Sequence, residues 1–413
     1  MSRHVVIVGG GFAGLNAAKA LKRADVEITL IDRTNHHLFQ PLLYQVATGG
    51  LSPAEIASPI RYILRRQKNV KVIQDTVREI RAHEIVTDTA TIEFDTLIVA
   101  SGATHHYFGH DDWADHAPGL KTLPDATGLR AQILGAFEEA ERTGGGNLTF
   151  LIVGGGPTGV EMAGAIAEMA RHTLRRDFRD IDPAAAEVLL IEAGPALLPA
   201  FPEDLSRKAQ DQLLRLGADV MTGWQVTDIA DRRVVIESDG ERRELHPQAT
   251  IWAAGVRASP LGEALVPLGA TLDRAGRVQV KPDLSIPGHP NIYVIGDLAS
   301  ASTDGKPVPG VAPAAIQMGR YVADVIQGRN RGPFRYRNKG NLATIGRSAG
   351  VADFGSVRFS GFVAWAAWLA VHIFFLIGFE NRLLVMVQWA WNYVTRNRSA
   401  RLVMRHERTT DKQ

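Results

Sequence analysis

Gly9-Gly10-Gly11-Phe12-Ala13-Gly14 and Gly154-Gly155-Gly156-Pro157-Thr158-Gly159 are two glycine-rich turns of one type, 145 residues apart. Each follows an apolar run, His4 to Val8 and Leu148 to Val153, that reads as a buried parallel strand. Each opens into an alanine-rich helix, the context in which glycines let a backbone cradle a pyrophosphate. Two such turns predict two nucleotides on one chain and an α/β fold of two Rossmann-like dinucleotide-binding domains. The pairing points to transfer of a hydride or electrons from one nucleotide to the other.

Composition narrows the chemistry. The chain has 413 residues, 45% of them apolar, enough for two or three packed domains. Net charge is only +2, which gives no case for nucleic-acid binding. The first strand begins within four residues of Met1, so the N-terminal domain is expected to be cytosolic. There is no cysteine. A thiol relay, a thiolate nucleophile and a cysteine-ligated iron–sulfur cluster are therefore excluded, and electrons must leave directly to an outside acceptor.

In the first motif, Gly9 makes the turn, Gly11 admits the pyrophosphate and Gly14 packs helix on strand. The helix expected from Leu15 to Leu21 points its positive end at the phosphates. The next strand, Glu27 to Ile31, ends at Asp32, 23 residues after Gly9 and close to the spacing of a ribose-binding carboxylate. Asn291-Ile-Tyr-Val-Ile-Gly-Asp297 resembles the second FAD fingerprint of two-dinucleotide flavoproteins. Thr96-Leu-Ile-Val-Ala-Ser-Gly-Ala103 resembles their connecting motif. The resemblance implies an FAD site made from Gly9, Gly10, Gly11, Phe12, Ala13, Gly14, Asp32, Arg33, Pro41, Leu42, Thr48, Ser101, Gly102, Gly296, Asp297 and Ala314.

The second motif supplies Gly154, Gly156, Pro157, Thr158 and Gly159. Its following strand, Glu187 to Ile191, ends at Glu192, and no arginine appears until Arg207. A glutamate suits two ribose hydroxyls and repels a 2′-phosphate, so NADH is expected over NADPH. Ala249-Thr-Ile-Trp-Ala-Ala-Gly-Val256 echoes Leu97 to Ala103 and marks the return from an inserted domain, with Ala254 and Gly255 beside the NADH. The expected layout is an FAD domain split as 1–120 and 260–330, an NADH domain at 121–259 and a C-terminal region at 331–413.

That last region begins with short strands from Phe334 to Arg358. Gly361 to Phe379 is then apolar for 19 residues, with His372 the only ionisable group. Four of the seven tryptophans lie between Trp365 and Trp391. From Arg382 onward there are seven Lys/Arg against two acids, suited to an anionic leaflet. The residues leave three readings open: a spanning helix, a pair of interfacial helices with Leu383 to Val394 as the second, and a buried or dimer-forming helix.

The whole chain resembles the type II (alternative, non-proton-pumping) NADH:quinone oxidoreductases. The specific likeness lies in Phe39-Gln-Pro-Leu-Leu-Tyr-Gln-Val-Ala-Thr-Gly49, Gly346-Arg-Ser-Ala-Gly-Val351 and His372-Ile-Phe-Phe-Leu-Ile-Gly-Phe-Glu-Asn-Arg-Leu383. The resemblance implies FAD as cofactor, NADH as electron donor and a membrane quinone as acceptor. It also implies monotopic attachment, through residues 360–413, to the anionic cytoplasmic face of the cell membrane. Glu161 matches a family glutamate tied to quinone reduction, and Gln317, with Ala314, matches a pattern near the quinone head group. Pro313 stands where the family carries a first glutamine. Two rivals remain at this point: a soluble NADH-dependent reductase of a small electron-carrier protein, and a redox-sensing membrane regulator. Whether the chain pairs as a homodimer is left open. His105, His106 and His110 cluster without a second set of ligands, so no metal site is expected and they read as surface loop.

Overall fold

The computed structural model describes residues 2–146, 148–330, 332–376, 379–395, 398 and 400–403. The chain divides into two units. The first comprises Met1–Leu38, Ala57–His105 and Val256–Lys339; the second comprises Phe39–Ile56, His106–Gly255 and Gly340–Gln413.

Val5, Val6, Ile7 and Val8 are all buried, so the Arg3–Val8 strand has no solvent face. A strand apolar on both sides belongs inside a helix-covered parallel sheet. In the first unit this strand is central, pairing in parallel with Val26–Asp32 on one side and Thr96–Val99 on the other. Val70–Gln74 extends the first side and His289–Val294 the second, both in parallel. The chain thus reverses direction across the sheet at the first glycine turn, the position at which open α/β sheets bind ligands.

The second unit repeats the plan. Thr149–Val153 lies between Glu187–Glu192 and Ala249–Trp252, and Ala218–Thr222 completes a four-stranded parallel sheet. Corresponding backbone bonds recur. Gly9 N–H donates to Ile31 O and Ala100 N–H to Val8 O, each at 2.7 Å; Gly154 N–H donates to Ile191 O and Ala253 N–H to Val153 O, again at 2.7 Å.

Two features differ from the sequence expectation. Phe39–Ile56 groups with the second unit, and the C-terminal region also groups there instead of standing apart. Side-chain bonds account for both. Trp389 Nε1 donates to Gln45 Oε1 at 2.8 Å, Asn392 Nδ2 donates to Gly50 O at 3.2 Å, and the Phe39 ring meets His372 edge-on. The C-terminal strands Asn341–Thr344, Gly350–Asp353 and Arg358–Ser360 form an antiparallel sheet. They lead into helices Phe362–Phe375 and Phe379–Thr395.

The apolar run does not form one long helix. Its helix ends at Phe375, and Leu376 turns to an extended ψ of 133°. Fourteen residues reach only about 21 Å against a hydrocarbon core of about 30 Å. Among the described residues, no helix is long and apolar enough to cross a membrane.

Candidate active site

The three glycines of each turn are divided by what surrounds them. A Cβ on Gly9 would strike Ala100 O at 2.4 Å, and one on Gly14 would strike Gly9 O at 1.9 Å. On Gly11 it would meet nothing within 4 Å. The second turn gives the same answers: Gly154 against Ala254 at 2.6 Å, Gly159 against Gly154 O at 1.8 Å, and open space at Gly156. Gly9 and Gly154 adopt φ of +105° and +111°, where a side chain is strained. The outer glycines are thus needed by the fold, and the middle ones border the space a pyrophosphate would take.

The first helix begins earlier than the expected Leu15. The two helices run Phe12–Ala20 and Pro157–Glu168, with Gly11 and Gly156 as N-caps. Neither glycine cap has a side chain to bond the first-turn N–H groups, so Phe12-Ala13-Gly14 and Thr158-Gly159 offer backbone donors of the kind that suits an anion.

The two acids occupy equivalent places. Asp32 Oδ2 accepts from Gly10 N at 2.6 Å, while Oδ1 accepts from Thr34 N at 2.7 Å and Thr34 Oγ1 at 2.8 Å. Glu192 Oε2 accepts from Gly155 N at 2.5 Å and Oε1 from Gly194 N at 2.6 Å. Each carboxylate is locked against its own glycine turn, and carboxylate oxygens can each accept a further bond from a ribose hydroxyl.

The remaining FAD candidates are distributed between the units. In the first, Ser101 adjoins the Gly9 turn and its buried Oγ has no partner among the described residues. Gly102 adopts a φ of +71° and accepts from Ser259 N at 2.9 Å. Gly296, Asp297 and Ala314 line one small cavity of about 20 Å³, and Arg33 is exposed. Pro41, Leu42 and Thr48 belong to the second unit, where Thr48 Oγ1 caps its helix on Tyr44 O at 3.0 Å. An orphaned hydroxyl beside an open glycine cradle fits a dinucleotide at the first turn. The second turn, bordered by Ala254 and Gly255, fits another.

His37 was not foreseen. Its Nδ1 pairs with Gly10 O at 2.9 Å and its ring meets Phe12 edge-on at 5.0 Å. Burial lowers its pKa to about 4, against the raising effect of the Gly10 carbonyl. Neutral His37 therefore supports the first turn from below. The only sequence signal was its position in the segment just after Asp32.

Glu161 lies in the first turns of the Pro157–Glu168 helix. Removal from water pushes its pKa up to about 8; the Thr344 backbone and the Trp368 indole pull the other way. The Tyr44 hydroxyl is raised well above its ordinary value, first by burial and then by the nearby Glu161. In the same unit a cavity of about 100 Å³ is walled by Tyr44, Trp365, Trp368, Trp389 and Tyr393. One water needs about 10–15 Å³ on that measure, so a planar ring has room.

Gln317 lies in the first unit with both ends of its amide engaged. Nε2 donates to Arg337 O at 3.0 Å and Oε1 accepts from Arg337 N at 2.9 Å. Of the cluster expected as surface loop, His110 stacks on Trp113 at 4.2 Å and His106 lies 4.4 Å from Phe108.

Residues 3–319 match the pyridine nucleotide-disulphide oxidoreductase family, the class to which the paired glycine turns belong. Residues 338–397 match the NDH2 C-terminal domain. The type II NADH:quinone oxidoreductase Ndh of Mycobacterium tuberculosis is 48% identical over 96% of this chain and 89% of its own length. The Staphylococcus aureus type II NADH:quinone oxidoreductase is 29% identical over 84% of this chain and 89% of its own. The structure of NDH2 from Plasmodium falciparum in complex with NADH shares the fold, with a TM-score of 0.88, 21% identity and coverage of 98% of this chain and all of that one. The chain belongs to the type II NADH:quinone oxidoreductase family.

Proposed function

We propose that this chain transfers electrons from NADH through FAD to a membrane quinone at the cytoplasmic face of the membrane, without pumping protons. The observation that carries the reading is the duplicated cradle: two open glycine turns, each with a locked carboxylate, in a chain without cysteine. FAD, when bound, accepts two electrons as a hydride from NADH and passes them to the quinone.

The residues bind, orient and protonate. The helix N-termini after Gly11 and Gly156 hold pyrophosphates. Asp32 and Glu192 orient ribose hydroxyls. The overall balance is NADH + H⁺ + quinone → NAD⁺ + quinol, so one proton must come from outside. Glu161, neutral at pH 7 with a pKa of about 8, holds a proton at its carboxyl for that purpose. Gln317 holds the Arg337 backbone in place; contact with a quinone from Gln317 and Ala314 would require its amide to leave Arg337.

The two C-terminal helices supply an interfacial anchor. Phe374, Leu384, Val387 and Trp391 are all more than half exposed, with 384, 387 and 391 on one stripe. Two of the basic residues counted toward an anionic leaflet are already paired, Arg398 with Glu168 at 3.3 Å and Arg401 with Asp177. Arg396, Arg405, Arg408 and Lys412 lie outside the described residues. The test is NADH oxidation by purified protein with a short-chain quinone, with an oxidised electron-carrier protein, and with neither. Turnover only with the quinone supports the reading; turnover only with the carrier overturns it.

A further inference from the structure

Tyr107-Phe108-Gly109-His110 makes a tight turn in the second unit, closed by His110 N–H donating to Tyr107 O at 3.0 Å. Phe108 and Gly109 have φ of +54° and +98°, the pair of positive angles found in a type I′ turn. Asparagine, aspartate or glycine suits the first of these positions, and a bulky aromatic residue is strained there. Such strain persists only where the surroundings hold it, and it clusters at binding sites. The ring adds little to the core, since Phe108 is 59% exposed. Trp252, 6.3 Å from it, is already packed against Tyr107 at 5.1 Å and Trp113 at 5.7 Å.

The ring is set against the second glycine turn through two intermediates. A Cβ on Gly255 would strike Phe108 Cζ at 3.0 Å, so the ring lies directly on that glycine. Ala254, next in the chain, abuts the turn itself, where a Cβ on Gly154 would meet Ala254 Cα at 2.6 Å. His106 ties the two sides together: its N–H donates to Gly255 O at 3.2 Å, its O accepts from Trp252 Nε1 at 2.9 Å, and its ring lies 4.4 Å from Phe108. Strand order then says which half of a dinucleotide reaches this place. Glu187–Glu192 and Ala249–Trp252 flank Thr149–Val153 on opposite sides. The pyrophosphate belongs at the turn after the central strand, and Glu192 takes the adenosine ribose on one side. The nicotinamide half therefore extends to the other side, past the end of Ala249–Trp252, where Gly255 and Phe108 stand.

We propose that Phe108 is a substrate-binding residue whose exposed ring packs against the nicotinamide riboside half of NADH. This rests on the NADH-oxidising reading above and adds the residue that grips the reactive end of the donor. The glycine turn and Glu192 hold the pyrophosphate and adenosine, which do not change on oxidation. An aromatic face suits a flat heterocycle and, through its quadrupole, the cationic ring of NAD⁺ as well. The backbone strain at Phe108 is thus explained by what the ring touches outside the fold. It binds and orients; it moves no proton.

The test compares Phe108→Gly, which removes the ring and suits the positive φ, with Phe108→Tyr, which keeps the ring. Dissociation constants of the FAD-loaded proteins are measured by calorimetry for NAD⁺ and for ADP-ribose, which lacks the nicotinamide. F108G should bind NAD⁺ about fivefold or more weakly than the wild type, the size expected for one lost ring contact. It should bind ADP-ribose within about twofold of the wild type, and F108Y should match the wild type for both. F108G should also melt no lower than the wild type, because glycine relieves the turn. Equal weakening of both ligands, or unchanged NAD⁺ binding, would overturn the proposal. So would a glycine variant that fails to fold or melts well below the wild type, since the ring would then serve the fold. Wild-type protein whose flavin NADH cannot reduce would instead sink the reading on which the proposal rests.

Discussion

At the scale of single residues, the middle and outer glycines of a turn should respond differently to a methyl group. Gly156 has a φ of −73° and open space around its Cβ direction, so Gly156→Ala should fold and keep its FAD. It should lose NADH affinity by about tenfold or more, because the methyl occupies the pyrophosphate's approach. Gly159→Ala places a methyl 1.8 Å from Gly154 O and should lower thermal stability instead. Titration of KM and melting temperature for the pair tests this; equal effects would refute it. Glu192 gives a second prediction. Wild-type kcat/KM should favour NADH over NADPH by about tenfold or more, since the carboxylate repels a 2′-phosphate. Comparable efficiencies would rule out that role. Glu161 gives a third. Its pKa is raised from 4.5 to about 8, so the stability of burying it neutral is fully present below about pH 4.5 and is lost as pH rises through about 8. Glu161→Gln should therefore be less pH-sensitive and should melt above the wild type by several degrees near pH 9. Quinone turnover of the wild type should fall as pH rises through about 8, where folded Glu161 loses its proton, and that fall should be missing from the much slower variant. A wild-type profile flat from pH 6 to 9 would dismiss the acid role.

At the scale of elements, what was legible followed from periodicity and steric need. The glycine turns, the carboxylates after them and the exit motifs are local, and each is set by backbone geometry within a few residues. The sequence places the first helix start at Leu15, whereas Leu15 N–H donates to Gly11 O at 3.1 Å and so makes Phe12-Ala13-Gly14 the first helical turn. The 19-residue apolar run looked long enough to span; the break at Leu376 depends on tertiary packing that periodicity does not record. His37 and the bonding of Gln317 to Arg337 were equally hidden, because each depends on a partner brought close by folding. The anchor reading belongs at this scale too. Leu384→Ser, Val387→Ser and Trp391→Ser together remove an exposed apolar stripe without touching the cavity walls. The triple variant should lose most vesicle binding in sedimentation while keeping short-chain quinone turnover in detergent. Retained binding would move the anchor elsewhere.

At the scale of the whole molecule, one architecture is used twice, and the second copy carries an addition. Both units place a glycine turn at the centre of a parallel sheet with a carboxylate one strand away. Only the second adds the Phe39–Ile56 segment and the C-terminal sheet and helices, whose aromatic side chains enclose a cavity. The duplication explains a donor nucleotide and a resident one; the addition explains an acceptor that is neither nucleotide nor thiol. The most direct test mixes the FAD-loaded protein anaerobically in two stages and follows flavin absorbance. One equivalent of NADH should bleach the flavin, and one equivalent of a short-chain quinone should restore it, with one NAD⁺ and one quinol formed. Bleaching by NADH that an electron-carrier protein reverses and quinone does not would contradict the account.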